Sequence, residues 1–274
     1  GKPVFGVLPY LHGLVIDSED SVSAAGTSEA GALKVVVPVL PRISNHNDFD
    51  PLRLHPGVDL VFVGSDESIP LADLIILPGS KSTRHDLQWL KQQGWPEAIQ
   101  KHLRYGGKLL GICGGFQMLG LRVEDPDGLE GEVGNTGGLA LFEMVTRMVS
   151  GKQLRQVTGK LSPEVTESGV TATMTGYEMH NGVTEGSALA RPFAELDSRP
   201  DGAVSADGQM AGTYVHGLFD EPAACDAILC WAGLNTQNTR SVDYQSHRLQ
   251  QLDRLADQVE QCLDTDRLRS LLQL

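Results

Sequence analysis

Apolar positions in this chain change rhythm near its middle. In the first half, short aliphatic and β-branched runs recur at Leu33 to Val39, Val58 to Gly64, Ala72 to Leu77 ahead of Pro78-Gly79-Ser80, and Lys108 to Ile112. Runs of that length and composition predict strands. Ser82 to Tyr105 instead carries helical spacing, with Ser82 as N-cap and Gly106-Gly107 as its stop, and Pro96 predicts a break or two helices. Gly114 to Gly120 opens a further helix. Strands alternating with helices predict an α/β fold with a mostly parallel sheet flanked by helices, whose ligands gather at the carboxyl edge of the strands.

The second half adds strands with fewer helices between them. Gly137 to Thr146, Val157 to Lys160, Thr171 to His180 and Gln209 to Val215 read as strands, and Glu221 to Trp231 as a helix. Leu249, Leu252, Leu255, Val259 and Cys262 or Leu263 recur at helical spacing, predicting an amphipathic helix packed on the body. At the other end, residues 3 to 9 read as a short buried strand. The Ser-, Gly-, Asp- and Glu-rich stretch from there to Ala32 reads as a linker. This divides the chain into a linker segment over 1–32, a body over 33–240 and a helical tail over 241–274, with no internal repeat.

Length and charge narrow the function. At 274 residues with 41% hydrophobic content, the chain is long enough to bury a full core. No apolar run approaches a membrane span and the start lacks the shape of a signal peptide, so a cytoplasmic protein without a membrane partner is expected. A net charge of −13 with no basic block argues against nucleic acid as a partner. The four cysteines, Cys113, Cys225, Cys230 and Cys262, have neither C-x-x-C spacing nor matched histidine pairs, so neither a metal site nor a disulfide framework is expected. No Gly-x-x-x-x-Gly-Lys-Ser/Thr run is present, so no cofactor site of that kind is expected here.

Cys113 stands in Gly111-Ile112-Cys113-Gly114-Gly115, at the end of a predicted strand and the start of a predicted helix. Two readings compete. It is either a small buried residue in a glycine-rich strand end or a nucleophile on a tight strand-to-helix turn, where the backbone demands small neighbours. Glycines on both sides and the helical pattern that follows favour the nucleophile. Such a thiol needs a base and oxyanion donors. His216, which ends an apolar strand pattern just before Gly217, is the best base, and a structural histidine is the alternative. His180 is the runner-up. Strand alternation puts Glu178 and His180 on one face, lining a pocket or forming a surface pair. The backbone N–H of Gly114 and a donor from the Gly79 turn are the candidate oxyanion hole.

The stretch Gly-Ile-Cys-Gly-Gly-Phe-Gln-Met-Leu-Gly resembles the nucleophile region of class I glutamine amidotransferases. Pro41-Arg42-Ile43-Ser44-Asn45 with Asp48-Phe49-Asp50-Pro51-Leu52, Leu77-Pro78-Gly79-Ser80-Lys81-Ser82-Thr83 and Gly176-Tyr177-Glu178-Met179-His180 narrow the resemblance to the cobyric acid synthases. The tail from Asp243-Tyr244 to Ala256-Asp257 is similar to their end. The resemblance implies a flavodoxin-like amidotransferase body over 33–240 with Cys113 as nucleophile and His216 as base. Gly79 and Gly114 would hold the oxyanion, and Ser80, Gln117 and Tyr177 would bind substrate. It also implies glutamine as substrate, no cofactor in this chain, and a preceding domain that uses ATP and Mg²⁺ to activate carboxylates of adenosylcobyrinic acid a,c-diamide. Gly6-Val7-Leu8-Pro9 with His12-Gly13 and Asp17-Ser18-Glu19-Asp20 resembles that domain's final stretch, so the chain looks like a C-terminal portion of a longer protein or a separated subunit.

One departure stands out. Most class I amidotransferases carry His-x-Glu, whereas here the run is His216-Gly217-Leu218, so a Cys-His dyad is expected, with Glu178 as the candidate to orient the imidazole. Competing readings are the glutaminase partner of a cobyrinic acid a,c-diamide synthase or of a peptidoglycan-precursor amidating ligase, a cysteine hydrolase of another substrate, and a non-catalytic binding module of the same fold.

Overall fold

A computed structural model describes residues 4–14, 31–166, 170–235 and 239–272. The chain divides into two compact units, Val22–Val242 on the one hand and Gly1–Ser21 with Asp243–Leu274 on the other.

The larger unit is built on a six-stranded sheet. Its strands are β1 (Leu33–Pro38), β2 (Val58–Val63), β3 (Leu74–Leu77), β4 (Lys108–Ile112), β11 (Ala203–Val204) and β12 (Met210–Thr213), in the order β11-β12-β4-β3-β1-β2. All neighbours are parallel except β11. The four first-half strands were legible as apolar runs because both faces are covered. Val35, Val37, Leu74, Ile76, Leu110 and Ile112 enter one core, while Val36, Ile75, Leu77 and Leu109 enter the other. The predicted helix over Ser82 to Tyr105 is two: α2 (Thr83–Gln92) and α3 (Trp95–Arg104), separated by Gly94 in the left-handed conformation with Pro96 in the first turn of α3. The expected α/β architecture, a mostly parallel sheet flanked by helices, holds, with extra strands in the second half.

Those extra strands form a second sheet. β5 (Arg122–Asp125), β6 (Gly134–Gly137), β7 (Met144–Leu161), β8 (Thr173–Gly186), β9 (Ala194–Leu196) and β10 (Arg199–Asp201) are joined by β13 (Val215–His216), which pairs antiparallel with β8. Here the strand boundaries differ from expectation. Gly137 to Thr146 is interrupted, since Ala140 adopts φ 56° between β6 and β7. Val157 to Lys160 is the end of an 18-residue strand whose middle is exposed, so the apolar signal survives only at its ends.

The smaller unit joins the two ends of the chain. α6 (Tyr244–Cys262) is capped by Asp243, which accepts from Ser246 N at 3.0 Å, and α7 (Thr265–Leu272) follows. The N-terminal stretch is not a buried strand. Val4, Val7 and Tyr10 are largely exposed, and Gly6 makes a single bridge to Leu263. Asp264 N donates to Phe5 O at 2.7 Å and Arg254 to His12 O at 2.8 Å, so residues read as a linker and residues read as a helical tail hold each other. The rest of the expected linker, 15–30, lies outside the described residues.

Candidate active site

Parallel register delivers the site. Leu77 pairs with Gly111 and Ile112 with Thr213, so β3, β4 and β12 end side by side. From these ends emerge the Pro78-Gly79-Ser80 turn, Cys113 and, two residues past Thr213, β13 with His216. Cys113 itself is left-handed, at φ 51° and ψ −108°, and its N–H donates to Thr213 O at 2.8 Å. A non-glycine residue in that region is strained and persists only where its surroundings over-determine it. The flanking glycines make this possible. A Cβ on Gly115 would lie 2.1 Å from Leu77 O, and one on Gly111 would lie 2.8 Å from Phe116 Cα. Helix α4 (Gly114–Met118) starts at once, as on a strand-to-helix elbow.

His216 is 1% exposed and is held from both sides. Its Nδ1 donates to Asp48 Oδ2 at 2.6 Å, and Gly217 N donates to Asp48 Oδ1 at 3.0 Å. With Nδ1 committed, the other ring nitrogen is left for Cys113, which is a hydrogen-bond and charge partner of the ring. Burial would lower the imidazole's pKa. The Asp48 charge and hydrogen bond, together with Cys113, outweigh that and push it up to about 10. The thiol also lies 3.5 Å from Met179 O.

Asp48 was missed by sequence reasoning. It sits in the 3-10 turn His46–Phe49, which Asn45 enters in the left-handed conformation. Two links tie this loop to the cleft: Ser44 N donates to Gly79 O at 2.9 Å, and Asn45 Nδ2 to Tyr177 OH at 2.5 Å. The Asp48-Phe49-Asp50 run was visible as a motif, but nothing in it separates the acid that turns inward from its neighbour. Instead of a dyad, three side chains line up.

Glu178 does not orient His216. Register sets His216 opposite Tyr177, whose ring stacks on the imidazole at 5.4 Å, so Glu178, next along β8, projects from the other face. There its Oε2 is taken by Arg155 Nε and Arg199 Nη2. His180 shares that face, stacked on Tyr214 at 3.9 Å, with its Nδ1 donating to Gly182 O at 2.9 Å. Burial keeps its pKa low.

Gly79 and Gly114 both stand where a side chain has no room. A Cβ on Gly79 would stand 2.9 Å from His216 Cε1, and one on Gly114 would stand 2.8 Å from Ser80 N. Ser80 and Gln117 are occupied internally. Ser80 Oγ donates to Asp86 Oδ2 at 2.6 Å, while Gln117 accepts from Thr83 Oγ1 at 2.9 Å and reaches Tyr214 OH at 3.3 Å. Burial and the Asp48 charge push the Tyr177 phenol up to about 12, so it stays neutral beside the imidazole. The open volume is a cleft of about 250 Å³ with Cys113 in its wall and Ser44, Ser80, Lys81, Glu130 and Lys152 among its other lining residues. Among the described residues, no group of acids, histidines and cysteines is disposed to hold a metal ion, and no helix is long and apolar enough to cross a membrane.

A buried imidazole, oriented by a carboxylate and aimed at a thiol on an elbow, is suited to acyl transfer from an amide. Comparison with known proteins bears on which amide. Two solved structures share the fold: one titled "Structure of PurLQS from Thermotoga maritima" (18% identity, TM-score 0.54) and one titled "Crystal structure of glutamine amidotransferase" (19%, 0.55). Each match covers 73% of this chain and 99% of the other. Residues 34–224 match the CobB/CobQ-like glutamine amidotransferase domain, and that stretch holds Cys113, His216 and Asp48. The chain belongs to the CobB/CobQ-like glutamine amidotransferase domain family.

Proposed function

We propose that Cys113 hydrolyses the side-chain amide of glutamine, with His216 as proton carrier and Asp48 holding its ring. The observation that carries this reading is the Asp48–His216 bond of 2.6 Å behind a strained, glycine-flanked cysteine. The sulfur adds to the amide carbon, and the oxygen gains charge facing the N–H groups of Gly79 and Gly114. The imidazolium then protonates the nitrogen as the C–N bond breaks, releasing ammonia and leaving a γ-glutamyl thioester. Water, losing a proton to His216, adds to that thioester. The C–S bond breaks, and glutamate and the thiol are restored.

The ammonia would serve a cobyric acid synthase, amidating carboxylates of adenosylcobyrinic acid a,c-diamide that an ATP- and Mg²⁺-dependent domain has activated. What supports this acceptor is where the resembling stretches fall. Ser44 and Asn45, Ser80, Lys81 and Thr83, and Met179 and His180 come from three separate stretches and line one cleft. Glutamate release is the test, measured with the chain alone and with the ATP-dependent domain, ATP and corrinoid present. Cys113→Ala abolishes it while the fold survives. Iodoacetamide labels Cys113 ahead of Cys230, Cys262 and Cys225, the last a thiol that burial pushes up to about 12. Equal labelling of all four overturns the assignment. Amidation of a lipid-linked precursor but not of the corrinoid overturns the acceptor.

A further inference from the structure

The two N–H donors assigned to the oxyanion come from different elements, Gly79 from the turn after β3 and Gly114 from the elbow after β4, so their spacing has to be set by something that touches both. Ser80 does. It follows Gly79 in the chain, and a Cβ on Gly114 would stand 2.8 Å from Ser80 N and 3.1 Å from Ser80 Cβ. Its hydroxyl is held in turn. Ser80 Oγ donates to Asp86 Oδ2 at 2.6 Å and accepts from Ser82 N at 3.0 Å. Asp86 lies in the first turn of α2 and is 0% exposed, and the same Oδ2 accepts from Arg42 N at 3.2 Å. That second bond reaches the loop leading to Asp48. Ser44 N, donating to Gly79 O at 2.9 Å, and Lys81 N, donating to Arg42 O at 2.8 Å, tie the same loop to the turn.

Packing does not account for an acid at this place. Oδ1 of Asp86 has no hydrogen-bond partner among the described residues, and the half-exposed Arg42 guanidinium stands 3.6 Å from it. Leaving a buried carboxylate oxygen unmet costs free energy, and the same burial raises the group's pKa. What the carboxylate supplies is a charge-assisted bond to a hydroxyl, roughly twice as strong as a neutral one. Resting on the glutaminase reading, we infer that Asp86 is a positioning residue that, through the Ser80 hydroxyl, fixes the spacing of the Gly79 and Gly114 donors. Such donors stabilise a developing oxyanion when they stand about 2.7–3.1 Å from it, so a loosened Ser80 weakens the transition state and leaves ground-state binding of the substrate alone.

The test works on both ends of that bond. Asp86→Asn keeps the shape and removes the charge; it lowers kcat for glutamine about 10-fold, with KM within about twofold of the parent. Ser80→Ala removes one hydroxyl and gives a similar loss. The double variant loses no more than about threefold beyond either single one, because both act through one bond. Losses that multiply to about 100-fold overturn the proposal. So does a loss confined to KM, or a lowered melting temperature with kcat unchanged, the mark of a residue that only supports α2. A second measurement does not need turnover. Alkylation of Cys113 by iodoacetamide displaces iodide at a saturated carbon and builds no oxyanion, so its rate in Asp86→Asn and Ser80→Ala stays within about twofold of the parent. Parallel slowing of alkylation means that Asp86 acts on the thiol and overturns the assignment to the donors. A parent whose Cys113 takes iodoacetamide but that releases no glutamate, even with the ATP-dependent domain, ATP and corrinoid present, removes the glutaminase reading itself, and this is distinguishable because no variant is involved.

Discussion

Two carboxylates lie on either side of β8, equally hidden from solvent and different in almost everything else. Asp48, 3% exposed, accepts one bond from an imidazole and one from a backbone N–H. Glu178, 1% exposed, receives two guanidinium groups on a single oxygen. Burial alone says nothing about the role of an acid; the partner decides it. Two permanent cations sit directly on the Glu178 carboxylate, so its charge is spent on the arginines that hold it. Among the described residues no guanidinium reaches Asp48, so its charge acts on the His216 ring, lifts the imidazole's proton affinity and fixes which nitrogen faces the thiol. The first arrangement holds strands together; the second prepares a proton.

The comparison is broken most directly at Asp48. Asp48→Asn keeps the shape and removes the charge. If the ring depends on that charge, glutamate release falls in kcat by on the order of 10²-fold or more, with KM for glutamine little changed. Loss confined to KM shows that Asp48 shapes the pocket instead of orienting His216.

A weaker effect appears in stability. His216 is raised in the folded state, from an ordinary value of 6.5 to about 10, so its contribution is complete below pH 6.5 and is lost as pH rises through 10. The unfolding free-energy difference between parent and Asp48→Asn, from urea melts, is therefore largest near pH 6.5 and shrinks toward pH 10. A difference that stays flat over that interval shows that the imidazolium is not what Asp48 stabilises.

The contrast also explains what the sequence could and could not reveal. The elbow was legible because its glycines are local: Gly111 and Gly115 sit within two residues of Cys113, the first permitting the close approach of Phe116 in α4 and the second that of Leu77 at the end of β3. His216 was legible because it ends an apolar run. Asp48 was not, because its partner lies 168 positions away and joins it only through the fold. Glu178 drew attention through alternation, which correctly groups it with His180. Alternation does not say what faces that side, and Arg155 comes from the far arm of β7. That strand was itself read as fragments because its middle is solvated. Gly6 likewise finds Leu263 only through the fold, so nothing local marked residues 4–14 as tied to the chain's other end.

The smallest expected effect on turnover belongs to Glu178. Glu178→Gln removes the charge that both arginines share while leaving the opposite face of β8, Tyr177 stacked on His216, untouched. Glutaminase turnover stays within about twofold of the parent, because nothing in the Asp48–His216–Cys113 line contacts the altered group. The fold does register the change. Arg155 and Arg199 are partly solvated, at 47% and 32% exposure, so the loss is discounted from that of a fully buried pair to about 1–2 kcal/mol in urea melts. A drop in turnover well beyond twofold, with stability intact, would return Glu178 to the catalytic side of the strand and undo the division between the two acids.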